Sequence, residues 1–155
     1  MSKSIEKEKK IAIIGLRGVG KSTVLDLLSH QEWMQNSIIL KYPFLFIPKE
    51  EVTILVDDAH LSPKTIIENA VVYSSLIPLD NSRTIIIKPL TVEKIAKLLD
   101  YYALSYSKNV PKVIFQLTGG FLSYISILLN YVFFINKRIF LSKDFLIRVI
   151  SRNDI

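Results

Sequence analysis

Short apolar runs alternate along this chain with segments in which apolar residues recur at helical spacing. The runs have the length and the β-branched composition of buried strands, and they are KIAIIG (10–15), SIILKYPFLF (37–46, broken by Pro43), EVTILVDD (51–58), ENAVVYSS (68–75) and RTIIIKPL (83–90). Helices are predicted from Lys21 onward and over residues 61–69, where Pro63 falls in the first turn. This alternation indicates an α/β domain with a sheet of about five strands.

From Thr91 the apolar residues recur every three or four positions, which predicts a series of helices. The glycine pair Gly119-Gly120 is expected to stop the second of them. Their predicted starts are Thr91, Pro111, Phe121 and Ser142, the last with Asp144 in its first turn. We therefore expect a charged tail over residues 1–8, an α/β core over 9–90 and a small all-helical part over 91–155.

The composition of the 155 residues suits a folded intracellular domain. Half of the residues are apolar and 22% are charged, which allows a core and argues against general disorder. The chain has no cysteine, so disulfides and thiolate metal sites are excluded and a reducing compartment is expected. The opening MSKSIEKEKK is charged and has no secretory signal pattern. We expect a cytoplasmic location.

The net charge of +6 is concentrated in the last third of the chain. Residues 1–100 hold 13 Lys and Arg against 12 Asp and Glu, whereas residues 101–155 hold 7 against 2. One interpretation is a solvated face that keeps the protein soluble. The other is a basic surface that meets DNA or an anionic protein partner.

Residues 117–136 carry no charge and end at Lys137 and Arg138, a length that can span a bilayer. The stretch begins with Thr-Gly-Gly, however, and contains further polar residues at Ser123, Ser126 and Asn130. We expect a buried helix rather than a membrane partner. A membrane-associated protein anchored through this stretch is kept as an alternative.

Residues 15–23, GLRGVGKST, match the P-loop pattern G-x4-G-K-[ST] without a mismatch. Glycines allow backbone amides to point at phosphate oxygens, Lys21 supplies a mobile cation, and the Ser22 hydroxyl can bind Mg²⁺. The predicted strand before the loop and helix after it favour a nucleotide site over a chance glycine turn. The expected ligands are ATP and Mg²⁺, and the expected nucleotide-binding residues are Gly15, Arg17, Gly18, Val19, Gly20, Lys21, Ser22 and Thr23.

A second acidic element follows the third predicted strand, in TILVDDAH (53–60). Asp57 is the expected partner of Ser22 at the metal, and Asp58 is the candidate that polarises the attacking water. Asp is shorter than the glutamate more usual in the second role. The alternative to these roles is that Asp57 and Asp58 are only acidic residues in the turn at the end of a strand. His60 is expected to pack against the next turn or to cap it.

Two large P-loop classes lack their marker sequences in this chain. A GTPase would need Asn-Lys-x-Asp, but Asn136-Lys137 is followed by Arg138 and Ile139. An ABC-type ATPase would carry Leu-Ser-Gly-Gly, and LTGGF (117–121) is a poor match in the wrong place.

The order of motifs from Lys9 onward resembles a miniature AAA+ ATPase, close to the archaeal and STAND-like branch near the origin-recognition ATPases. The motifs that carry the resemblance are the P-loop, TILVDDAH, AVVYSS, NSRTIIIKPLTVEKIAKLL, LTGGFLSYISILL and LSKDFLIRVI. The resemblance implies a polar sensor at Ser74 or Ser75, of which we select Ser75. It also implies an arginine finger at Arg83, in the Ser82-Arg83 pair, and a helical lid formed by residues 91–155.

The chain departs from that pattern in three places. Only 36 positions (57 − 21) separate Lys21 from Asp57, and the helix between the second and third strands is missing. FIPKEE (46–51) would then be a tight connection, which leaves an antiparallel second strand open. Finally, Phe121, Leu122 and Ser123 stand where the lid arginine is expected.

The sequence thus predicts a P-loop NTPase core with a parallel sheet of about five strands, truncated between strands two and three, followed by a small all-helical lid. The expected function is that of an AAA+-like ATP-binding protein, a weak ATPase that is slow alone. Its nucleotide state would control homo-oligomer assembly, or docking of DNA or a protein partner through the basic lid. The alternatives are a non-hydrolysing nucleotide-binding adaptor and a membrane-associated P-loop ATPase.

Overall fold

The computed structural model describes residues 10–43, 52–80, 82–132, 140–144 and 146–147. They belong to two compact units, which divide between Ile87 and Lys88. The first unit contains the phosphate-binding motif and the acidic strand end, and the second contains most of the predicted helices.

A five-stranded parallel sheet organises the first unit, as the sequence predicts. The spatial order is β2-β3-β4-β1-β5, so β4 lies between β1 and β3. Because all strands run the same way, their carboxyl ends share one edge of the sheet. The strands are β1 (Ile11–Ile14), β2 (Ser37–Lys41), β3 (Thr53–Asp57), β4 (Val72–Ser75) and β5 (Arg83–Ile86).

Strand β2 is parallel to β3, paired from Ser37 with Thr53 to Lys41 with Asp57. The antiparallel orientation left open by the sequence is therefore wrong. The physical reason is chain length: residues 42–52 connect the two strands, close to the dozen or so residues that a parallel crossover needs. The expected tight connection at residues 46–51 lies outside the described residues.

Helices cover both faces of the sheet because strand side chains alternate between the faces. Helix α1 (Lys21–Ser29) begins at the predicted residue, and its Leu25 packs with one set of buried strand residues that includes Ile13 and Leu55. Helix α2 (Lys64–Asn69) follows Pro63, and its Ile66 and Ile67 pack with the other set. Short 3₁₀ turns occur at Glu32–Met34 and Ala59–Leu61.

The second unit is mainly helical, where the sequence predicted an all-helical part, and its helices are α3 (Val92–Tyr101), α4 (Val110–Thr118) and α5 (Leu122–Asn130). It also contains a short parallel pair, β6 (Ser105–Tyr106) with β7 (Phe140–Leu141), which the sequence did not predict because two-residue strands have no periodicity. Its core includes Ile95, Leu99, Val110, Ile114, Ile125 and Leu141.

Part of the predicted fourth helix can be described. Residues 143–144 and 146–147 are helical, and the Leu146 amide donates to the Ser142 carbonyl at 3.2 Å. The apolar positions that the sequence predicts for this helix are Phe145, Leu146, Val149 and Ile150, and all of them except Leu146 lie outside the described residues.

No single helix in the described parts of the chain is long and apolar enough to cross a membrane. Helices α4 and α5 meet the length and composition test only as a pair, bent by 118° at the break between them.

Gly119 and Gly120 end helix α4 in the left-handed region, with φ of 60° and 78°. Gly120 is also pressed against the backbone of Leu90, whose amide donates to the Gly120 carbonyl at 2.8 Å. A Cβ at Gly120 would collide with the Leu90 carbonyl oxygen, whereas one at Gly119 would first meet the Phe121 ring at 3.3 Å. Only Gly120 therefore combines backbone strain with a rigid obstacle.

We predict that Gly120→Ala lowers the free energy of unfolding by about 2–4 kcal/mol, because it adds overpacking to the left-handed strain. Gly119→Ala is the matched control and should cost about 1 kcal/mol, for the strain alone. Urea denaturation followed by circular dichroism measures both. Equal losses in the two variants would contradict the close approach at Leu90.

Candidate nucleotide-binding site

The P-loop, residues 15–23, joins the carboxyl end of β1 to the first turn of α1. Gly18 and Gly20 have φ of 83° and 106°, a region that side chains rarely adopt. Gly15 is packed so closely that a Cβ would lie 2.6 Å from the Ile87 carbonyl oxygen and 2.9 Å from Val19 Cγ2. Three glycines of the motif are thus required by the backbone, in the strand-loop-helix setting that a phosphate-binding loop needs.

Lys21 is the first residue of α1 and its side chain turns back over the loop. The residue is only 6% exposed, and its ammonium donates to the Leu16 carbonyl at 3.0 Å. Burial lowers the pKa of Lys21, Asp58 and Asp57 act in the opposite direction, and Arg17 adds to the lowering. The loop residues Leu16, Arg17, Ser22 and Thr23 are exposed.

Asp57 ends strand β3 as a buried carboxylate, with 6% of its side chain exposed. Its Oδ1 accepts hydrogen bonds from the Ser74 hydroxyl and from the Asp58 amide, the latter at 3.1 Å. The Ser22 side chain lies close enough to Asp57 to help lower its pKa. Burial acts to raise the pKa of Asp57, but Ser74, Ser22, the Lys41 ammonium and the Asp58 amide outweigh it and hold the pKa below 3.8.

Lys41 is a member of the site that the sequence reasoning missed. Its ammonium lies 3.5 Å from Asp57 Oδ2 and 3.9 Å from Asp58 Oδ2. It ends β2 directly beside Asp57, in the parallel register described above. The parallel pairing of β2 with β3 would have identified Lys41 as a neighbour of Asp57, but the sequence left the direction of β2 open.

Asp58 has a left-handed backbone, with φ 50° and ψ 46°, and precedes the 3₁₀ turn at Ala59–Leu61. Its amide donates both to Asp57 and, at 3.1 Å, to the Ser74 hydroxyl. Aspartate is one of the few residues that tolerate this conformation. His60 lies within the turn, and its Nδ1 is buried with no hydrogen-bond partner among the residues that the structure describes.

The two candidate sensor serines are both fully buried, but they make different contacts. The Ser74 hydroxyl contacts Asp57 and Asp58, whereas the Ser75 hydroxyl accepts from the Ile77 amide at 3.3 Å. Ser75 reaches the P-loop through its backbone, because its carbonyl accepts from the Gly15 amide at 3.3 Å. The structure therefore brings the side chain of Ser74, and not that of Ser75, to the carboxylates.

Arg83 lies away from this group of residues. It begins β5 and pairs with Ile11, at the start of β1, whereas the P-loop follows the end of β1 at Ile14. Three residues of strand amount to about 10 Å. The exposed Arg83 and the P-loop of the same chain therefore lie at opposite ends of β1.

A buried tyrosine holds the segment that leads to Arg83. The Tyr73 hydroxyl donates to Asp80 Oδ1 at 3.0 Å, accepts from the Leu79 amide at 3.1 Å and lies 3.0 Å from the Ser82 hydroxyl. Lys10 lies 3.7 Å from the second Asp80 oxygen. The start of β5 is thus fixed by contacts with β4.

The donor chemistry of the site fits Mg²⁺. A carboxylate and a hydroxyl are the hard oxygen ligands that this ion prefers, and Mg²⁺ is commonly bound by one or two carboxylates together with water and phosphate oxygens. Asp57 and Ser22 supply such a pair, and Ser22 is one of the groups that lower the pKa of Asp57. Across the described ranges, no group of three or more His, Cys, Asp or Glu residues forms an all-protein metal site.

The sequence matches the family model described as ABC transporter over residues 1–138. This match corrects the exclusion of the ABC class, which relied on one four-residue signature, whereas the model spans the P-loop and the sheet strands. The Leu-Ser-Gly-Gly signature itself is absent from the sequence. No curated protein sequence matches the chain.

The fold is similar to that of RuvB from Thermotoga maritima, an AAA+ ATPase. One RuvB mutant superposes with a TM-score of 0.70 at 12% identity, covering 92% of this chain and 62% of that chain. The structure titled RuvB Holliday junction branch migration motor gives 0.67 at 11%, covering 92% and 61%. The chain therefore spans about three fifths of the structures that it matches, and the likeness concerns the fold.

We predict that ionised Asp57 makes stability depend on pH. Because its folded-state pKa is lowered, the contribution is present above about pH 4 and is lost as the pH falls through that pKa. Asp57→Asn should remove this part of the acid sensitivity. Ser74→Ala should move the loss to higher pH, because it removes a hydrogen bond that stabilises the carboxylate.

Urea denaturation between pH 2.5 and 7 tests this prediction, with Glu32→Gln, an exposed carboxylate outside the site, as the matched control. Parallel curves for the parent and Asp57→Asn over the whole range would show that Asp57 has no part in the acid sensitivity.

Proposed function

This chain belongs to the family of P-loop ATPases that the ABC transporter model describes, and we propose, from the order of its motifs and its fold similarity to RuvB, that it is a small AAA+-like ATPase whose bound nucleotide controls assembly or partner docking. The observation that carries the proposal is the placement of Lys21 and Ser22 at the start of α1 and of Asp57 at the end of β3, at the carboxyl edge of the sheet, where Lys21 and Asp57 interact electrostatically. Because of the order of its motifs, we also propose that it lies near the archaeal and STAND-like branch of the AAA+ family.

ATP is proposed to bind through the backbone amides of residues 16–22, where the positive end of α1 favours phosphate oxygens. The Lys21 ammonium already lies against the loop, at the Leu16 carbonyl. Its transfer from that carbonyl to the outer phosphates exchanges a neutral acceptor for a charged one, which forms the stronger hydrogen bond.

Mg²⁺ is proposed to be held by the Ser22 hydroxyl and the Asp57 carboxylate, which lie close enough for Ser22 to lower the pKa of Asp57. When bound, the ion would neutralise charge on the phosphates. The low pKa of Asp57 supports this role, because the carboxylate stays ionised at neutral pH.

Hydrolysis is proposed to be slow in the isolated protein. Asp58 is the candidate for orienting water, but its side chain is shorter than glutamate and its carboxylate contacts Lys41. The candidate sensor is Ser75 from the resemblance, or Ser74 from its contact with Asp57. The lid also lacks the expected arginine, with Phe121, Leu122 and Ser123 in its place.

The same observations at Asp58 favour a second candidate, a non-hydrolysing adaptor in which ATP is a structural ligand. A phosphate-release assay separates the two candidates, with Asp58→Asn as the inactive control. Release above that control supports the ATPase, and release equal to it supports the adaptor.

Arg83 is proposed to act on the nucleotide of a neighbouring copy. It lies too far along β5 to reach the P-loop of its own chain, and Tyr73 holds the segment before it in place. An exposed arginine in a fixed position suits a head-to-tail arrangement, which forms rings or filaments. The alternative is an ordinary surface arginine.

A DNA or protein partner is proposed to dock on the basic lid. The support is the excess of 7 basic over 2 acidic residues in residues 101–155, together with the fold similarity to RuvB, a Holliday junction branch migration motor. Cationic side chains attract the DNA backbone irrespective of sequence. The proposed compartment is the cytoplasm.

We predict that Lys21→Ala weakens ATP binding by about 10–100-fold, because it removes charged hydrogen bonds to the phosphates. Titration of a fluorescent ATP analogue in the presence of Mg²⁺ measures the change. Lys97→Ala, an exposed lysine of α3, is the control and should bind like the parent. Unchanged affinity in Lys21→Ala would refute the proposed nucleotide site.

We predict that Arg83→Ala keeps the parental ATP affinity but loses ATP-dependent oligomers and any hydrolysis, because only contacts between copies use this side chain. Size-exclusion chromatography with and without ATP, and phosphate release, measure the two effects. A variant that assembles and hydrolyses ATP like the parent, or a parent that stays monomeric with ATP, would make Arg83 a surface residue.

A further inference from the structure

Lys41 connects strand β2 to the proposed metal site. Its ammonium lies 3.5 Å from Asp57 Oδ2 and 3.9 Å from Asp58 Oδ2. The two partners differ in exposure: 63% of the Lys41 side chain is exposed, against 6% of the Asp57 side chain. A solvent-accessible cation therefore faces a carboxylate that is almost fully buried.

The two oxygens of Asp57 have different partners. Oδ1 accepts from the Ser74 hydroxyl and the Asp58 amide, whereas Oδ2 faces the Lys41 ammonium. A buried carboxylate needs hydrogen bonds and an opposite charge. Within the described part of the chain, Lys41 is the only ion-pair partner of Asp57, so it supplies that charge.

We propose that Lys41 competes with Mg²⁺ for Asp57: its ammonium balances Oδ2 while the metal is absent, and it withdraws when the metal binds. The inference rests on the proposed function, since it requires Mg²⁺ and nucleotide at this site. Lysine suits the role because its flexible stem carries a strongly hydrated charge, which can turn into water at little cost.

This competition sets the Mg²⁺ concentration at which the nucleotide site is filled. A single positive charge a few ångströms from the ion, in a setting open to solvent, changes the affinity by about three- to ten-fold. Removal of Lys41 should therefore tighten Mg²⁺ binding. It should also destabilise the metal-free protein, because Oδ2 then loses its counter-charge.

The test compares the parent with Lys41→Met, which keeps the apolar stem, and Lys41→Arg, which keeps the charge. Lys64→Met is the matched control, since Lys64 is 89% exposed and pairs with Glu68 on α2. Mg²⁺ is titrated into each protein with a fluorescent ATP analogue, and the half-saturating concentration is recorded. The thermal midpoint in EDTA without nucleotide provides a readout that is independent of activity.

We expect half-saturation of Lys41→Met at about three- to ten-fold lower Mg²⁺, with a midpoint in EDTA about 1–3 °C lower. Lys64→Met should follow the parent in the Mg²⁺ titration, and Lys41→Arg, which keeps the charge, should not show the tighter Mg²⁺ binding of Lys41→Met. If the parent binds nucleotide but Lys41→Met shows an unchanged or weaker Mg²⁺ affinity, the proposed role of Lys41 is refuted and the proposed function is not. A parent with no response to nucleotide and Mg²⁺ would overturn the proposed function as well.

Discussion

The architecture of the first unit depends on satisfying one buried negative charge, the carboxylate of Asp57. Leaving such a group ionised requires donors from several directions, and Ser74, Ser22, Lys41 and the Asp58 amide supply them. These donors come from β4, from α1, from β2 and from the turn after β3. The charge that is proposed to bind a cation thus connects four parts of the unit, so the proposed metal site and the fold share one set of contacts.

The order of strands makes this convergence possible. Because β4 separates β1 from β3, the Ser74 side chain lies between the P-loop and the acidic strand end, while the Ser75 carbonyl holds Gly15. Two adjacent residues of one strand therefore support the two halves of the site, one through its side chain and the other through its backbone. A one-residue slip of β4 would turn the Ser74 side chain to the other face of the sheet, away from Asp57.

Local pattern was sufficient for much of this architecture. Apolar runs located the strands, and the P-loop motif located the start of α1 at Lys21. The local sequence pattern could not predict the properties that depend on how the strands pair in the sheet. The direction of β2 depended on a connection close to the minimum length for a crossover, and the Lys41–Asp57 ion pair followed from that direction. Likewise, two neighbouring serines look equivalent until register assigns their side chains.

The left-handed backbone at position 58 explains why the residue there is aspartate rather than the longer glutamate. Aspartate tolerates this conformation because its compact carboxylate can interact with nearby backbone, an advantage that the longer glutamate side chain lacks. The choice of acid and the path of the turn after β3 are therefore linked. In evolutionary terms, a change from Asp58 to glutamate would gain reach but add backbone strain to the turn, so it would be favoured only where that strain is offset elsewhere.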